Sequence, residues 1–362
     1  MSQKALFFIP DISGFSEFVH NTDVNHSRHI MSELLEDLLE NNILKLELAE
    51  IEGDALFLYK TKNIPTLDLI FKQVRVMFIA LQKQLKRYQY ERVCHCGACS
   101  STENLSLKFI VHYGDVEFIK VKKSIKPFGS DVIKAHRLLK NQIPIDEYVL
   151  FTKSVISFEN SQQATFDFLK PAIAGKEVYD FGEIDYFYLP LSELKKEVPY
   201  VPPIPVDIPK HKLVYEEVLI ETDCLSLYEV ISNFKYRRLW NKSIKQLDYD
   251  ESRLNRVGTE HQCIVGRGKK LMPVTIKKSV EPKQLVYGER IKEIPFVKSL
   301  HIYFVVEEAG QKKTRLMAEV YADFTIFGQI FKFAVARVFK KTIRENIREI
   351  KALVESGFVL ES

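Results

Sequence analysis

The stretch from Pro199 to Pro209 holds five prolines in eleven positions and divides the chain. Proline fixes φ and has no backbone N–H, so this stretch cannot pair within a β-sheet and favours extended polyproline geometry. We expect a semi-rigid linker over residues 196–209, between one domain of residues 1–195 and another of residues 210–362. A chain of 362 residues has room for both, since domains of about 100–200 residues are typical.

Charge and composition exclude several classes of protein. The 52 basic and 48 acidic residues leave a net charge of +4, which is too balanced to indicate a nucleic-acid partner. No apolar run approaches the ~20 residues of a membrane span, and the N-terminus lacks the pattern of a signal peptide. Five cysteines, an odd number, favour reduced thiols. We therefore expect a cytoplasmic globular protein without a membrane span.

Two aspartates stand at predicted strand ends in the first domain. The apolar run Ala5–Ile9 predicts a buried strand that ends at a turn, and Asp11 lies in that turn. Gly53 and Asp54 form the predicted corner of a hairpin between two apolar runs. Two carboxylates brought together in this way suit Mg²⁺ or Mn²⁺, because hard cations prefer oxygen ligands and keep positions open for phosphates.

Four segments in this order resemble the class III nucleotidyl cyclase catalytic domain over roughly the first half of the chain. They match its Asp-Ile-x-Gly-Phe-Ser turn, its Gly-Asp hairpin, its His-x-Gly strand end and its Gly-x-x-Val-Asn-x-Ala-x-Arg-Leu helix; the segments are Asp11–Ser16, Gly53–Asp54, His112–Gly114 and Gly129–Leu138. Each motif is weak alone, and the ordered set is more specific. The resemblance implies a ferredoxin-like α+β domain.

The resemblance also implies roles for individual residues. Asp11, Asp54 and the carbonyl of Ile12 would hold two Mg²⁺ or Mn²⁺ ions, which neutralise triphosphate charge and activate the ribose hydroxyl. Arg137 falls on the position of the guanidinium that steadies the phosphates. These residues would make the chain a phosphorus–oxygen lyase acting on a nucleoside triphosphate.

Three further positions bear on nucleotide binding. Glu50 falls on a base-selecting position, where a carboxylate resembles guanylate cyclases because it accepts from the guanine N1 and N2 donors. Lys126 occupies the second base-selecting position, where the family has Asp or Cys, and this leaves the selected base open. Lys108, on the His-x-Gly strand, completes the nucleotide-binding candidates.

One departure from the family leaves two functions open. Ile133 stands where the family has an asparagine that positions the ribose, and losing a positioning contact costs orders of magnitude in rate. Lys134 is the candidate substitute. In the family the two halves of the site come from different chains, so a homodimer is implied. The alternatives are a divergent cyclase and a catalytically inactive cyclase-fold protein that binds a ligand or acts as a scaffold.

Cys94, Cys96 and Cys99 form a cluster that the cyclase pattern does not predict. Three thiols within six residues can close around Zn²⁺, with His95 or His112 as a fourth ligand. The alternative is a loop with coincidental cysteines, because the usual paired Cys-x-x-Cys repeat is absent.

The second domain is predicted to hold a strand, short helices, an antiparallel meander and a long terminal helix from Gly328 to Glu355. That helix has an apolar stripe formed by Ile330, Phe331, Val335, Val338, Phe339, Ile343, Ile347, Ile350 and Leu353. This order resembles the START-like, Bet v 1-type helix-grip fold, a curved antiparallel sheet around a helix, and Arg238-Leu239-Trp240 resembles a corner motif of that fold. The resemblance implies a lipid-like or other apolar small molecule that regulates the first domain. The alternative is that Phe331, Phe333 and Phe339 simply fill the core.

Overall fold

The computed structural model describes residues 2–15, 18, 24–93, 101–122, 124–160, 172–200, 207–251, 254–266, 268–292 and 294–360. Backbone contacts divide the chain into two compact units. The first unit comprises Met1–Thr22, Ile30–Arg87 and Ser101–Val201, and the second comprises Asp23–His29, Tyr88–Ser100 and Pro202–Ser362. No helix in the described ranges is both long enough and apolar enough to cross a membrane.

An eight-stranded sheet forms the first unit, with strand order β2-β3-β1-β4-β6-β8-β7 and β5 paired to β4. β4 and β6 are parallel and every other pair is antiparallel. In chain order the elements are β1 (Gln3–Ser13), α1 (Val24–Glu40), β2 (Glu47–Glu52), β3 (Ala55–Lys60), α2 (Leu67–Glu91), β4 (Ser106–Val121), β5 (Ser124–Phe128), α3 (Ser130–Arg137), β6 (Tyr148–Thr152), α4 (Lys153–Asn160), β7 (Ile173–Tyr179) and β8 (Gly182–Pro190).

The core of the first unit is built around β1, whose residues 5–12 are all buried. Alternate β1 side chains, Phe7 and Ile9, cluster with Val132 and Ala135 of α3. The apolar stripe of α2 is buried as its spacing predicts: Ile70, Val74, Met77, Phe78 and Leu81 are almost inaccessible to solvent. A strand covered on both faces holds its residues rigidly, and this positions the side chains near its end.

Within the described part of the second unit the strand pairs are antiparallel, in a sheet of order β13-β14-β15-β16-β9 and a smaller one of order β10-β11-β12. Its elements are β9 (His211–Ile220), α5 (Cys224–Ser232), α6 (Phe234–Trp240), β10 (Ile244–Asp248), β11 (Gln262–Val265), β12 (Lys269–Leu271), β13 (Pro273–Ile276), β14 (Gln284–Ile291), β15 (Val297–Gly310), β16 (Lys313–Phe324) and α7 (Lys332–Glu355). Ile343, Ile347 and Ile350 of α7 join Trp240 and Phe304 in one core. Both units mix helices with antiparallel-rich sheets, so the α+β prediction is confirmed at that level.

The N-terminal part of the last helix differs from the prediction. A 3₁₀ helix spans Phe327–Phe331, and α7 begins at Lys332 instead of Gly328. Gly328 lies so close to the Phe296 carbonyl that an added Cβ would be 2.0 Å from its oxygen, and this contact fixes a tight turn there. Ile330, Phe331 and Val338 were expected in the apolar stripe, but they are exposed because the buried residues of α7 begin only at Ile343. Phe333, which the alternative placed in the core, is exposed as well.

Candidate functional site

Asp11 and Asp54, hereafter the aspartate pair, lie together at one end of the first unit's sheet. Asp11 is buried and pairs with Ala55 of β3 on one side and with Lys108 of β4 on the other. The Ile12 N–H donates to the Asp54 carbonyl over 3.0 Å, which fixes the hairpin corner against β1. β1 continues to Ser13 instead of ending before Asp11, and Pro10 is accommodated because Ile9 and Pro10 have no partner in β3.

The electrostatics of the aspartate pair favour an added cation. Burial raises the pKa of Asp11, although the Lys108 ammonium, 3.1 Å from its carboxylate, opposes the change. Burial and the negative charge of Asp11 raise the pKa of Asp54. Each carboxylate is therefore costly to ionise in the metal-free protein. A hard divalent cation would offset the cost of ionising these two oxygen donors. The Lys108 ammonium competes with such a cation for the Asp11 carboxylate.

Glu50 and Lys126 contact each other directly, which the sequence did not predict. Glu50 lies on β2 and Lys126 on β5, and their side chains form an ion pair, hereafter the Glu50–Lys126 pair. The hydrogen bond from Lys126 lowers the pKa of Glu50. Both predicted base-selecting positions thus present a charged acceptor beside a charged donor. Lys108, the third nucleotide-binding candidate, contacts Asp11 and donates to the Leu139 carbonyl over 3.2 Å.

A small cavity of about 450 Å³ lies against α3 and is lined by Glu52, Ile133, His136, Arg137 and Lys140. His136 Nδ1 lies 3.0 Å from a Glu52 oxygen, and the ring stacks on Phe57 at 4.3 Å between centroids. Among the residues that the structure describes, Arg137 makes no ion pair. The Ile133 side chain is 52% exposed here and offers no hydrogen bond. Sequence reasoning missed Glu52, although it is two residues from Glu50, and residues two apart share a strand face.

Lys134 has a partner within its own helix. Its ammonium lies 2.7 Å from an Asp131 oxygen, and His112 Nε2 lies 3.4 Å from the same oxygen. The proximity of His112, the hydrogen bond from Lys134 and another from the Asp115 N–H over 2.7 Å hold the pKa of Asp131 well below its usual range. A Cβ at Gly114 would come within 2.4 Å of the Asp131 carboxylate. The His-x-Gly segment therefore anchors the start of α3, and Lys134 contributes to that anchor.

The second unit holds a larger cavity of about 620 Å³ between α7 and the strands. Most of its lining is apolar, and the lining includes Trp240, Phe304, Val335, Phe339 and Ile343. Buried Arg237 and Glu289 also line it and form an ion pair. Glu289 accepts a hydrogen bond from the Tyr287 hydroxyl over 2.6 Å, and the Arg237 guanidinium lies 4.6 Å from the centroid of the Trp240 ring.

His261 lies behind that ion pair, with its Nε2 3.5 Å from a Glu289 oxygen. Burial and the charge of Arg237 lower the pKa of His261 to about 3, so the ring is neutral at physiological pH. The predicted corner motif began at Arg238, but Arg238 is exposed and its neighbour Arg237 is the buried arginine. A one-residue shift on a short helix reverses which side chain faces the core.

Cys94, Cys96 and Cys99, together with His95, lie outside the described residues. His112, the other candidate fourth ligand, is buried against Asp131 and Thr152. The described cysteines Cys224 and Cys263 are free thiols.

Comparison with known proteins gives one matching family and several partial likenesses. Residues 31–148 match the family described as "Protein of unknown function (DUF2652)". A Mycobacterium tuberculosis protein, "Uncharacterized protein Rv2561/Rv2562", is 35% identical over 127 residues, which are 34% of this chain. The match spans 58% of that relative's own length.

Solved structures give likenesses of fold only. A bacterial light-regulated adenylyl cyclase is 18% identical, with a TM-score of 0.38, over 54% of this chain and 96% of its own. The adenylyl cyclase CyaB from P. aeruginosa is 13% identical, with a TM-score of 0.36, over 52% and 95%. A START superfamily protein from Mycobacterium smegmatis is 15% identical, with a TM-score of 0.31, over 40% and 97%. Class III cyclases and START-superfamily proteins are thus both among the structural neighbours of this chain.

Proposed function

We propose that the first unit is a divergent class III nucleotidyl cyclase domain that binds a nucleoside triphosphate with Mg²⁺ or Mn²⁺. The observation that carries this proposal is the aspartate pair: Asp11 of β1 lies beside Asp54 of the turn between β2 and β3, and burial raises the pKa of both. Buried like charges are costly to a fold and concentrate at functional sites. Asp11, Asp54 and the Ile12 carbonyl would hold the cation, which supplies charge neutralisation at the phosphates.

We propose that the Glu50–Lys126 pair recognises the nucleotide base. A guanine edge offers N–H donors beside the O6 acceptor, so a carboxylate beside an ammonium is complementary to it. The two side chains already contact each other, which holds both groups in place before a nucleotide arrives. We therefore propose GTP as the first substrate to test.

Arg137 is the proposed phosphate-binding guanidinium, acting across a homodimer. It makes no ion pair among the described residues, and no described ion pair joins it to the aspartate pair. The hairpin of β4 and β5 exposes a patch of apolar side chains that a second copy of the chain would cover: Ile119, Val121, Ile125 and Phe128. In such a dimer each site takes its aspartates from one copy and its arginine from the other.

Mixing two inactive variants tests this arrangement. We expect Asp54→Ala and Arg137→Ala each to lose Mn²⁺-dependent turnover of GTP, because one lacks a cation ligand and the other the phosphate contact. If the site is shared, random reassociation leaves one intact site in each mixed dimer. The mixture should then regain roughly a quarter of the unsubstituted activity.

A control variant and a direct assay of turnover complete this experiment. Arg344→Ala, in the second unit, is the matched control for arginine removal and should keep full activity. Turnover is followed as pyrophosphate release with ATP and GTP in parallel. Two active single variants, or no turnover of either nucleotide by the unsubstituted chain, would contradict the catalytic proposal.

A nucleotide-binding protein without turnover is the second candidate function. Ile133 offers no hydrogen bond to a ribose, and Lys134 is held by Asp131. These two observations favour binding without chemistry, since neither residue offers the ribose a free polar group. Calorimetric titration with GTP and Mn²⁺ that shows binding, together with absent pyrophosphate release, would favour this candidate over the cyclase.

For the second unit we propose a START-like helix-grip domain whose cavity takes an apolar ligand that regulates the first unit. The cavity of about 620 Å³ falls within the usual range for small-molecule sites, and its lining is mostly apolar. The proposed boundaries are residues 1–195, a linker at 196–209 and residues 210–362. Of that linker, residues 201–206 lie outside the described structure.

Ala334→Phe should block the cavity. Ala334 lines it from α7 and is itself exposed, so a phenyl group there fills the opening without displacing the core. We expect anilinonaphthalene sulfonate to bind the unsubstituted chain at least about tenfold more tightly than this variant. Trp240 lines this cavity and is the single tryptophan of the chain, so energy transfer from it reports dye bound in or near the cavity.

The control for the cavity experiment is a phenyl group placed elsewhere on α7. Ala336→Phe makes the same change at a position that does not line the cavity. Equal binding of the dye to both variants, with Trp240 energy transfer intact, would contradict a ligand site in this cavity.

A further inference from the structure

The segment from Ile326 to Phe333, hereafter the apolar segment, exposes five large hydrophobic side chains within eight residues. Ile326 is 86% exposed, Phe327 76%, Ile330 79%, Phe331 46% and Phe333 85%. Single exposed hydrophobic residues are ordinary, but a cluster this dense on a folded surface marks an interaction site. The apolar stripe predicted from the sequence included Ile330 and Phe331, so their exposure is a property of the fold.

The apolar segment is held in place by backbone contacts. The Thr325 N–H donates to the Phe296 carbonyl over 3.0 Å, and the Gly328 N–H donates to the Thr325 carbonyl over 2.9 Å. The Phe331 ring stacks on Phe296 at 5.1 Å between centroids. These contacts pin the turn to the end of β15 and leave the outer side chains pointing to solvent. The exposed groups are therefore presented by a defined turn.

Positive charge surrounds the apolar segment. Between residues 326 and 344 the chain has five basic residues and no acidic one: Lys332, Arg337, Lys340, Lys341 and Arg344. Glu216 of β9 lies 2.8 Å from Arg344 and 3.9 Å from Lys340, and Glu345 lies 3.9 Å from Lys341. Lys332 lies beside the His211 ring at 3.3 Å. Two carboxylates against five cations leave a net positive surface.

The apolar segment also borders the cavity of the second unit. Phe296 and Phe331 line that cavity, and so do Ala334, Val335 and Val338 from the first turns of α7. An apolar molecule that arrives at the apolar segment from a hydrophobic environment would reach the cavity without passing through water. The position links the segment to the cavity and gives a reason for its exposure.

We propose that the apolar segment docks the second unit onto the surface of an anionic lipid bilayer. Aromatic and aliphatic side chains on one side of a short helical turn, flanked by Lys and Arg, are suited to the headgroup boundary, where the rings enter the acyl region. The five cations would face negatively charged headgroups. The net positive charge beside exposed aromatic rings favours an anionic bilayer over a soluble protein as the partner of this segment, because a soluble protein partner requires no such net charge. The proposal stands independently of cyclase activity.

Co-sedimentation of the full chain with vesicles tests the proposal. One set contains phosphatidylcholine alone, and the other contains roughly one quarter phosphatidylserine. We expect at least about tenfold stronger partition to the anionic set, weakening as salt is added. Phe327→Ser/Phe333→Ser should reduce that partition at least about tenfold, because binding scales with the apolar area that enters the bilayer. Arg337→Gln/Lys341→Gln should reduce binding to the anionic set and leave the neutral set unchanged.

A matched control removes equally exposed side chains elsewhere. Val178 is 70% exposed and Val359 is 79% exposed, and Val178→Ser/Val359→Ser should bind vesicles like the unsubstituted chain. An unchanged urea midpoint of Trp240 fluorescence shows that the second unit of each variant is folded, and an unchanged far-ultraviolet circular dichroism spectrum shows the same for the first unit. Absence of binding to any vesicle overturns the proposal, and so does equal binding by the double Phe variant. Self-association that this variant loses, without vesicle binding, would instead assign the segment to contacts between copies of the chain.

Discussion

We expect Asp54→Asn to stabilise the metal-free protein while removing its response to Mn²⁺. The pKa of Asp54 is raised by burial and by the charge of Asp11, so its ionised form is unfavourable in the folded state. Asparagine has nearly the same shape and carries no charge, which removes this cost at neutral pH. It also removes a cation ligand. An increase in stability joined to a loss of function is typical of a site under functional constraint.

The raised pKa values also predict whether stability rises or falls with pH. A raised folded-state pKa means that the protonated carboxyl contributes stability, which is lost as pH rises from the unfolded value near about 4 through the folded value. Asp11 and Asp54 both behave in this way. In EDTA the unsubstituted chain should therefore lose free energy of unfolding over this rise in pH. The Asp54→Asn variant should lose less free energy of unfolding over the same rise in pH.

Thermal unfolding with and without Mn²⁺ measures whether the cation binds the folded protein. A ligand that binds only the folded state raises the midpoint with its concentration, and the unsubstituted chain should show this rise. For Asp54→Asn we expect the rise to disappear and Mn²⁺-dependent turnover to fall at least about a hundredfold. Loss of an outer partner of a metal site alone costs about 10–100-fold, so loss of a direct ligand should reach the upper end or beyond.

Two variants complete the comparison. Asp185→Asn, at an exposed ion pair with Lys153, should change neither stability nor the response to Mn²⁺. Asp11→Asn should stabilise the metal-free chain less than Asp54→Asn, because the Lys108 ammonium, 3.1 Å from the Asp11 carboxylate, offsets part of the cost of its charge. If Asp54→Asn destabilises the metal-free protein and still responds to Mn²⁺, the aspartate pair is a structural feature and holds no cation.

Local patterns predicted the elements around the aspartate pair. The Gly53-Asp54 corner was inferred from two apolar runs and a turn signal, and Gly53 adopts φ +64°, a conformation that glycine reaches without strain. The buried stripe of α2 follows from helical spacing alone. These features depend on residues a few positions apart, where backbone geometry determines which side chains share a face.

Contacts between distant residues were beyond sequence reasoning. Glu50 and Lys126 are 76 positions apart, and their contact depends on how β5 folds back on β4. Arg237 and Glu289 meet because α6 and β14 enclose one cavity. Neither pair has a spacing signal, since the partner of a charged side chain is set by tertiary topology.

The exposure of the apolar segment shows a different limit of sequence reasoning. Helical periodicity indicates which residues share a face, but it does not show how much of that face the sheet covers. Ile343, Ile347 and Ile350 are buried, whereas Ile330 and Phe331 are exposed. A continuous stripe in the sequence thus divides into a core-forming half and a half left for another partner.

The second large effect is expected in the second unit, where Arg237→Met should lower the free energy of unfolding by about 3–5 kcal/mol. The guanidinium is buried, pairs with Glu289 and lies against the rings of Trp240 and Tyr287. Methionine fills much of the volume but leaves the Glu289 charge buried without its cation. Urea unfolding followed by fluorescence measures this unit alone, because Trp240 is the single tryptophan of the chain and is fully buried.

A double variant separates the lost charge pair from lost packing. In Arg237→Met/Glu289→Met no buried charge remains, and we expect most of the stability to return, because apolar replacements of a buried ion pair are often neutral or stabilising. Arg238→Met, the exposed neighbour, should stay within about 0.5 kcal/mol of the unsubstituted chain. Equal losses in the single and double variants would show that packing of the guanidinium, and not its charge, stabilises this unit.

His261 adds a pH signature to the Arg237→Met variant. In the unsubstituted chain burial and the Arg237 charge lower the pKa of His261 to about 3, so the ring stays neutral beside Glu289. Without the guanidinium, Glu289 becomes the nearest charge and should raise that pKa, so that the imidazolium replaces the lost cation at lower pH. The destabilisation should therefore shrink between about pH 8 and about pH 5, and His261→Gln should abolish this recovery. A deficit that does not change with pH would mean that Glu289 takes up a proton itself once Arg237 is gone.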